Sequence, residues 1–244
     1  MPITSRLFGE RGRRRASSLG IDPQRLPPGQ SPTVKWPVLS LGATPRVDTD
    51  RWVLSVDGIV AAPYVLDWAQ LTAEPQTDWS GDIHCVTRWS KFGMAWRGVD
   101  VKMLIKRAQP RAGASHLVAH CYGGYTTNLP LADVMEHPAL IAHHADGAPL
   151  EPDHGGPARL LVPHLYLWKS AKWIQRLEVL DHDELGFWER NGYHHRGDPW
   201  LQERYSVDDY VARTLRRRAR EGAREAGGLS PTTTQDDEPQ RRPG

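Results

Sequence analysis

The sequence predicts an α+β domain of mixed short strands and short helices that do not alternate as regular βαβ units. Three observations carry that expectation. Short apolar runs with period-two spacing recur along the chain, and Trp173-Ile174-Gln175-Arg176-Leu177-Glu178-Val179-Leu180 is the clearest. Between them lie short helical segments, each with its own start and stop signal. Ten Trp and twenty Pro point to irregular, loop-rich packing around flat surfaces.

The chain has 244 residues. A chain of that length buries roughly 70–75% of its unfolded surface and needs no disulfide or metal staple to fold. Its two cysteines, Cys85 and Cys121, make no disulfide framework and suit a reducing compartment. The net charge of +2 makes no general case for nucleic acid. No run approaches the ~18 apolar residues of a membrane span. Arg11, Arg13, Arg14 and Arg15 suggest an export signal, but Ala16-Ser17-Ser18-Leu19-Gly20 follows where an apolar stretch would stand. The chain is therefore expected in the cytoplasm.

In order, residues 1–35 are expected to form a basic Pro/Gly-rich arm, extended and either wrapped on the domain or mobile. The main domain is expected over residues 36–205. Trp52 to Val56 is a strand, Asp57-Gly58 a turn, and Val65-Leu66 resumes the strand. Asp67 then opens a short helix with Gln70 at the capping-box spacing, and Pro75 stops it. Asp78 to Val86 is a strand whose end delivers Cys85, followed by a loop with Lys91, Gly93 and Met94.

Asp100 caps a helix that places Val101, Leu104, Ile105 and Ala108 on one core face. His116 to Cys121 is a strand. In Tyr122-Gly123-Gly124-Tyr125 the glycines either let the backbone approach a ligand or only make a turn. Leu131 to Met135 is a helix, and Ala139 to Ala142 with Asp146-Gly147 is a strand and turn. Arg159 to Pro163 is a buried strand, and Gly186 to His195 an aromatic loop. A basic helix over 206–228 and a disordered tail over 229–244 complete the chain.

Two segments carry chemistry. In Asp82-Ile83-His84-Cys85-Val86-Thr87-Arg88-Trp89-Ser90 a lone thiol lies beside a cation at a strand end, a setting that favours the thiolate. An isolated cysteine is also often just a small buried hydrophobe. In His154-Gly155-Gly156-Pro157-Ala158-Arg159 and Trp168-Lys169-Ser170-Ala171-Lys172-Trp173, three cations gather around a buried strand. They suit the holding of a phosphate, or the lysines are solvated strand ends. Lys169 and Lys172 are three apart, so a turn must redirect one if both are to reach the same group.

The first of these segments resembles the cysteine segment of the sulfite-oxidase-type molybdopterin oxidoreductases. It is closest to the small branch without a haem domain, and more distantly similar to the catalytic subunit of the methionine-sulfoxide reductase. The second is similar to that family's pterin-contacting segment. Gly186 to Tyr193, Gly197-Asp198-Pro199-Trp200 and Arg204-Tyr205 also resemble the small branch.

The resemblance implies a sulfite-oxidase-like molybdopterin-binding fold and a molybdenum-molybdopterin cofactor without haem. It implies Cys85 as the protein ligand to molybdenum and Arg88 as a catalytic cation. Candidate cofactor contacts are His84, Tyr125, His154, Arg159, Trp168, Lys169, Ser170 and Lys172. The expected reaction is oxygen-atom transfer on a small oxyanion or S-oxide. A separate electron-transfer partner is expected, since the chain shows no second redox centre.

The competing reading is a non-enzymatic α+β binding module with a structural zinc or no metal. His84-Cys85 and His120-Cys121 offer two Cys and two His, but neighbouring strand residues point to opposite faces. The pairs His143-His144 and His194-His195 are expected at the surface or in loops. The Arg-rich C-terminal helix is interleaved with Glu221 and Glu225 and reads as solvated rather than as a nucleic-acid site.

Overall fold

The computed structural model describes residues 3–206, with residues 3–9 described as backbone only. The expected C-terminal helix and tail, from residue 207 on, lie outside the described residues. The expected extended arm begins instead as helix α1 (Ile3–Ser18). Its Arg and Ala content favours helix, and over residues 10–18, where burial is described, only Gly12 and Ala16, one turn apart, are buried. Gly12 is a contact point rather than a breaker: a Cβ there would stand 2.3 Å from the carbonyl oxygen of Gln30. After a short turn of 3-10 helix over Pro23–Arg25, strand β1 (Ser31–Pro32) finishes the arm, which therefore wraps the domain.

Strand β2 (Val53–Gly58) absorbs the expected Asp57-Gly58 turn, because Gly58 presses against the Val179 backbone, where no Cβ would fit. Strand β3 (Tyr64–Asp67) leads into α2 (Trp68–Ala73), where Asp67 and Gln70 form the capping box and Leu71 is buried. Next come β4 (Gln76–His84) and β5 (Trp89–Asp100). β5 is the main departure from expectation. Lys91, Gly93 and Met94 form no loop, because β5 pairs antiparallel with β4 from Ser90 to Val99 and buries Met94 and Trp96.

Asp100 caps α3 (Val101–Ala108), which buries the four expected residues. The chain continues through β6 (His116–Cys121), β7 (Thr126–Pro130), α4 (Leu131–Glu136), β8 (Leu140–Ala145) and β9 (Ala148–Pro149). Then follow β10 (Arg159–Leu161), β11 (Ile174–Leu180) and α5 (Phe187–Arg190), a helix where a loop was expected. His143, expected at the surface or in a loop, is buried on β8, with Nε2 2.7 Å from Gln76 Oε1.

The strands make two mixed sheets. One runs β3-β2-β11-β6-β7, with β2 and β11 parallel and the other neighbours antiparallel. The other runs β1-β5-β8-β10, with β4 on β5 and β9 on β8. The larger core cluster joins Leu54, Leu117 and Leu177 of the first sheet to Val99, Ile141 and Leu160 of the second, under α3. A second cluster around Ile83, Met94, Trp96 and Leu161 adds Trp36, Trp79 and Trp89. Among the described residues no helix is long and apolar enough to cross a membrane.

Candidate active site

The β4–β5 connection is a tight turn. Cys85 N–H donates to Trp89 O (2.9 Å) and Arg88 N–H to Cys85 O (3.0 Å). Arg88 closes it in the left-handed region at φ 77°. The turn sets Cys85 on the wall of a cavity of about 350 Å³. The opposite walls come from Trp36 and the loop to Leu41, Tyr125, His154, Arg159, Leu167, Trp168, residues 170–173, Trp188 and Tyr193.

Arg159 is the dominant charge there and is only 3% exposed. Its donors go to the backbone carbonyls of His154, Leu160 and Ser170, and no carboxylate pairs with it among the described residues. Its guanidinium lies about 6 Å from the Trp36 and Trp96 rings. Burial pushes its pKa down to about 10. Lys172 lines the same cavity, bonded to Ser40 Oγ and the Asp153 carbonyl, and burial with the neighbouring Arg159 pushes it down to about 8. His154 stacks on Trp36 at 3.7 Å, and burial beside Arg159 and Lys172 pushes it down to about 4, so it is neutral at pH 7.

Gly155 makes this crowding possible. At φ 103° it adopts a conformation that side chains avoid, and a Cβ there would stand 3.0 Å from the Cβ atoms of both Arg159 and Lys172. The result is an excess of positive charge in a half-enclosed, aromatic-walled space, which suits an anion attached to a flat ring.

Of the expected contacts, Cys85, Tyr125, His154, Arg159, Trp168, Ser170 and Lys172 share the cavity, and three residues do not. Lys169 is fully buried behind the wall, where Nζ meets Glu189 Oε1 (2.6 Å), Asn128 O (2.7 Å) and Asn128 Oδ1 (2.9 Å). The same Glu189 oxygen accepts from Trp168 Nε1 and Thr127 Oγ1, so this ion pair orients the wall rather than a ligand. His84 turns its ring to the far side, against Ser90 Oγ, beside a second hollow lined by Trp79 and Trp200.

Arg88 is exposed, and its Nη1 lies 3.2 Å from where a Gly29 Cβ would stand. It therefore does not supply the thiolate-favouring field expected of it. Burial pushes the Cys85 thiol up. The hydrogen bond with Thr87 (3.1 Å) and the fields of Arg204 and Lys172 pull it partly back. The His-Cys pairs do not converge either. Among the described residues, the metal-binding side chains that gather are Asp133, His137 and His164, and Arg196 already holds both oxygens of Asp133.

Sequence reasoning missed Gln30, Glu189, Trp188 and Tyr193 as parts of this region. Trp188 and Tyr193 were visible as an aromatic segment. The partners of Gln30 and Glu189 lie tens of residues away, and nothing local marks them.

Fold and cavity together suit the binding of a flat, anionic group beside a thiol. The family model described as "Oxidoreductase molybdopterin binding domain" matches residues 41–188. The chain is 42% identical over 185 residues to YuiH of Bacillus subtilis (strain 168), an uncharacterized oxidoreductase, covering 75% of this chain and 93% of that one. It is 31% identical over 157 residues to the protein-methionine-sulfoxide reductase catalytic subunit MsrP of Gluconobacter oxydans (strain 621H), covering 57% of this chain and half of that one. Among solved structures, the sulfane dehydrogenase SoxCD from Paracoccus pantotrophus aligns with a TM-score of 0.55 at 22% identity, over 64% of this chain and 46% of that one, a likeness of fold.

The chain belongs to the sulfite-oxidase-type molybdopterin oxidoreductases and is an enzyme of that class. That sets aside the non-enzymatic reading. The residues present fit the cofactor the family implies. A buried guanidinium with no carboxylate partner among the described residues and an ammonium suit a phosphate, aromatic walls suit a planar ring system, and a thiol suits a soft metal ion.

Proposed function

We propose that the protein catalyses oxygen-atom transfer on a small oxyanion or S-oxide substrate, using a molybdenum-molybdopterin cofactor with the Cys85 thiolate as metal ligand. The observation that supports this best is the joint placement on one cavity of Cys85 with Arg159 and Lys172, neither of which pairs with a carboxylate among the described residues. When bound, the cofactor supplies two-electron redox chemistry at molybdenum, and the protein supplies orientation and electrostatics.

Arg159 and Lys172 would hold the phosphate, with Gly155 giving the close approach. Arg159 does so as a planar fork already fixed by three carbonyls, Lys172 as a point charge with a freer stem. Trp168, Tyr125 and Ser170 would shape the wall. Tyr125 Oη donates to Trp168 O, and Ser170 Oγ accepts from Val162 N–H, so both are held in place. His154, neutral and stacked on Trp36, would offer a ring face and no added charge.

Burial favours the protonated form of the Cys85 thiol, so ligation must release its proton. The positive lining favours anionic or strongly dipolar substrates and draws them in. The likeness to a named methionine-sulfoxide reductase favours an S-oxide. Arg88 stands outside the cavity lining, so the positive charge that meets substrate comes from the cavity wall and not from Arg88. We also propose that the enzyme works without haem, exchanges electrons with a separate partner and resides in the cytoplasm, where two unpaired cysteines are stable.

The test is elemental analysis of protein expressed in a host that makes the cofactor, with Cys85→Ser beside it. Near-stoichiometric molybdenum with released pterin, and loss of turnover in the variant, is the expected result. No molybdenum and no pterin from a competent host would refute it.

A further inference from the structure

The turn that carries Cys85 is held by two side chains from opposite ends of the described chain. Gln30 is 1% exposed and Arg204 is 6% exposed. Gln30 Nε2 donates to Cys85 O (2.9 Å) and to Trp89 O (3.3 Å). Its Oε1 accepts from Arg204 Nη2 at 3.2 Å. Arg204 Nη1 donates in turn to Val86 O, and the guanidinium lies 4.9 Å over the Tyr166 ring. Ser31 N–H adds a bond to Arg88 O at 2.9 Å.

Thus the carbonyls of Cys85, Val86, Arg88 and Trp89 all accept from groups outside the turn. A carboxamide suits the post. It offers two N–H donors to two carbonyls and an oxygen to the guanidinium, where a carboxylate offers no donor. The turn has reason to need such support. Arg88 sits at φ 77°, a conformation that side chains avoid and that persists only where surroundings over-determine it.

We propose that Gln30 and Arg204 form a clasp that positions the Cys85 thiol on the cavity wall, and so act as positioning residues for the metal ligand. This rests on the reading of Cys85 as that ligand. The arm bearing Gln30 belongs to the working enzyme on this account, because Pro28 and Gly29 also border Arg204.

The test uses cofactor-free full-length protein and the alkylation rate of Cys85 by iodoacetamide at one fixed pH, followed by peptide-resolved mass spectrometry so that Cys121 is counted separately. Gln30→Glu and Gln30→Leu remove both donors, and Arg204→Lys keeps the charge while losing the fork. Tyr64→Phe, which removes a hydrogen bond to Leu104 O far from the cavity, is the control. Local opening of the turn should raise Cys85 alkylation about ten-fold or more in the Gln30 variants, less in Arg204→Lys, and not in Tyr64→Phe. In the holoenzyme the same variants should change the molybdenum X-ray absorption spectrum at equal metal loading.

Wild-type alkylation in every variant that folds would overturn the clasp. If the Gln30 variants do not fold, Arg204→Lys carries the test alone. Failure of the ligand reading is separate: Cys85→Ser with an unchanged metal spectrum would sink that reading, whatever the alkylation rates.

Discussion

Removing either partner of the buried Lys169–Glu189 pair should unfold much of the enzyme's margin of stability without touching the cavity's charge. Lys169 is fully buried, with its ammonium 2.6 Å from Glu189 Oε1 and bonded twice to Asn128. Lys169→Met leaves a buried carboxylate with only neutral donors, Thr127 and Trp168. Glu189→Gln leaves a buried ammonium whose hydrogen-bond acceptors are all neutral, Asn128 and the new carboxamide oxygen. Stranding one member of such a pair costs about 3–5 kcal/mol.

The double variant Lys169→Met/Glu189→Gln strands neither charge and should recover at least about 2 kcal/mol of the summed loss. The assay is urea unfolding of the cofactor-free protein. With an m-value of about 2 kcal/mol/M, each single variant should lower the midpoint by roughly 2 M, and the double variant by clearly less than the sum. A Lys169→Met protein within about 1 kcal/mol of wild type that nonetheless fails to retain cofactor would refute the reasoning. It would return Lys169 to the phosphate site.

Lys172→Met should behave in the opposite way. It removes a cation already repelled by Arg159, so unfolding should shift by less than about 1 kcal/mol, while molybdenum retained after dialysis falls at least ten-fold. His143 gives a pH prediction. Burial holds its pKa down at about 4 against 6.5 when unfolded, so the unfolded state takes up the proton first as pH falls. The stability linked to His143 is whole above pH 6.5 and is lost as pH falls toward 4. That loss is on the order of 3 kcal/mol, and urea midpoints of His143→Gln should show a flatter fall over the same window. Arg88→Gly should keep or slightly raise the thermal midpoint, because glycine relieves the left-handed turn, and should leave turnover within a few-fold, because Arg88 lies outside the cavity.

What the sequence made legible was local. The Asp67–Gln70 capping box and the Asp100 cap are decided within a few residues, and both stand as expected. So does the alternation that buries Leu177 and Val179 on β11, while a register shift between Ile174 and Arg176 buries Ile174 out of step. Cys85 was found because a lone thiol in a distinctive segment needs no partner to be noticed.

What was not legible depends on distant contacts. β5 reads as a loop because Gly93 and Lys91 interrupt its pattern, yet β4 pairs with it along its length. The arm reads as extended because Arg, Gly and Pro dominate it, yet Gly12 fits the helix to the Gln30 backbone. Lys169 and Lys172 look equivalent three residues apart. Their difference lies in Glu189, which claims one and leaves the other at the cavity.

The central claim is that molybdenum sits in this cavity on the Cys85 sulfur. The most direct measurement is molybdenum X-ray absorption on the loaded enzyme and on Cys85→Ser, at matched metal content. The account predicts that the variant keeps the metal and loses one sulfur neighbour, replaced by oxygen. An unchanged sulfur shell in Cys85→Ser would contradict it and move the metal ligand elsewhere in the chain.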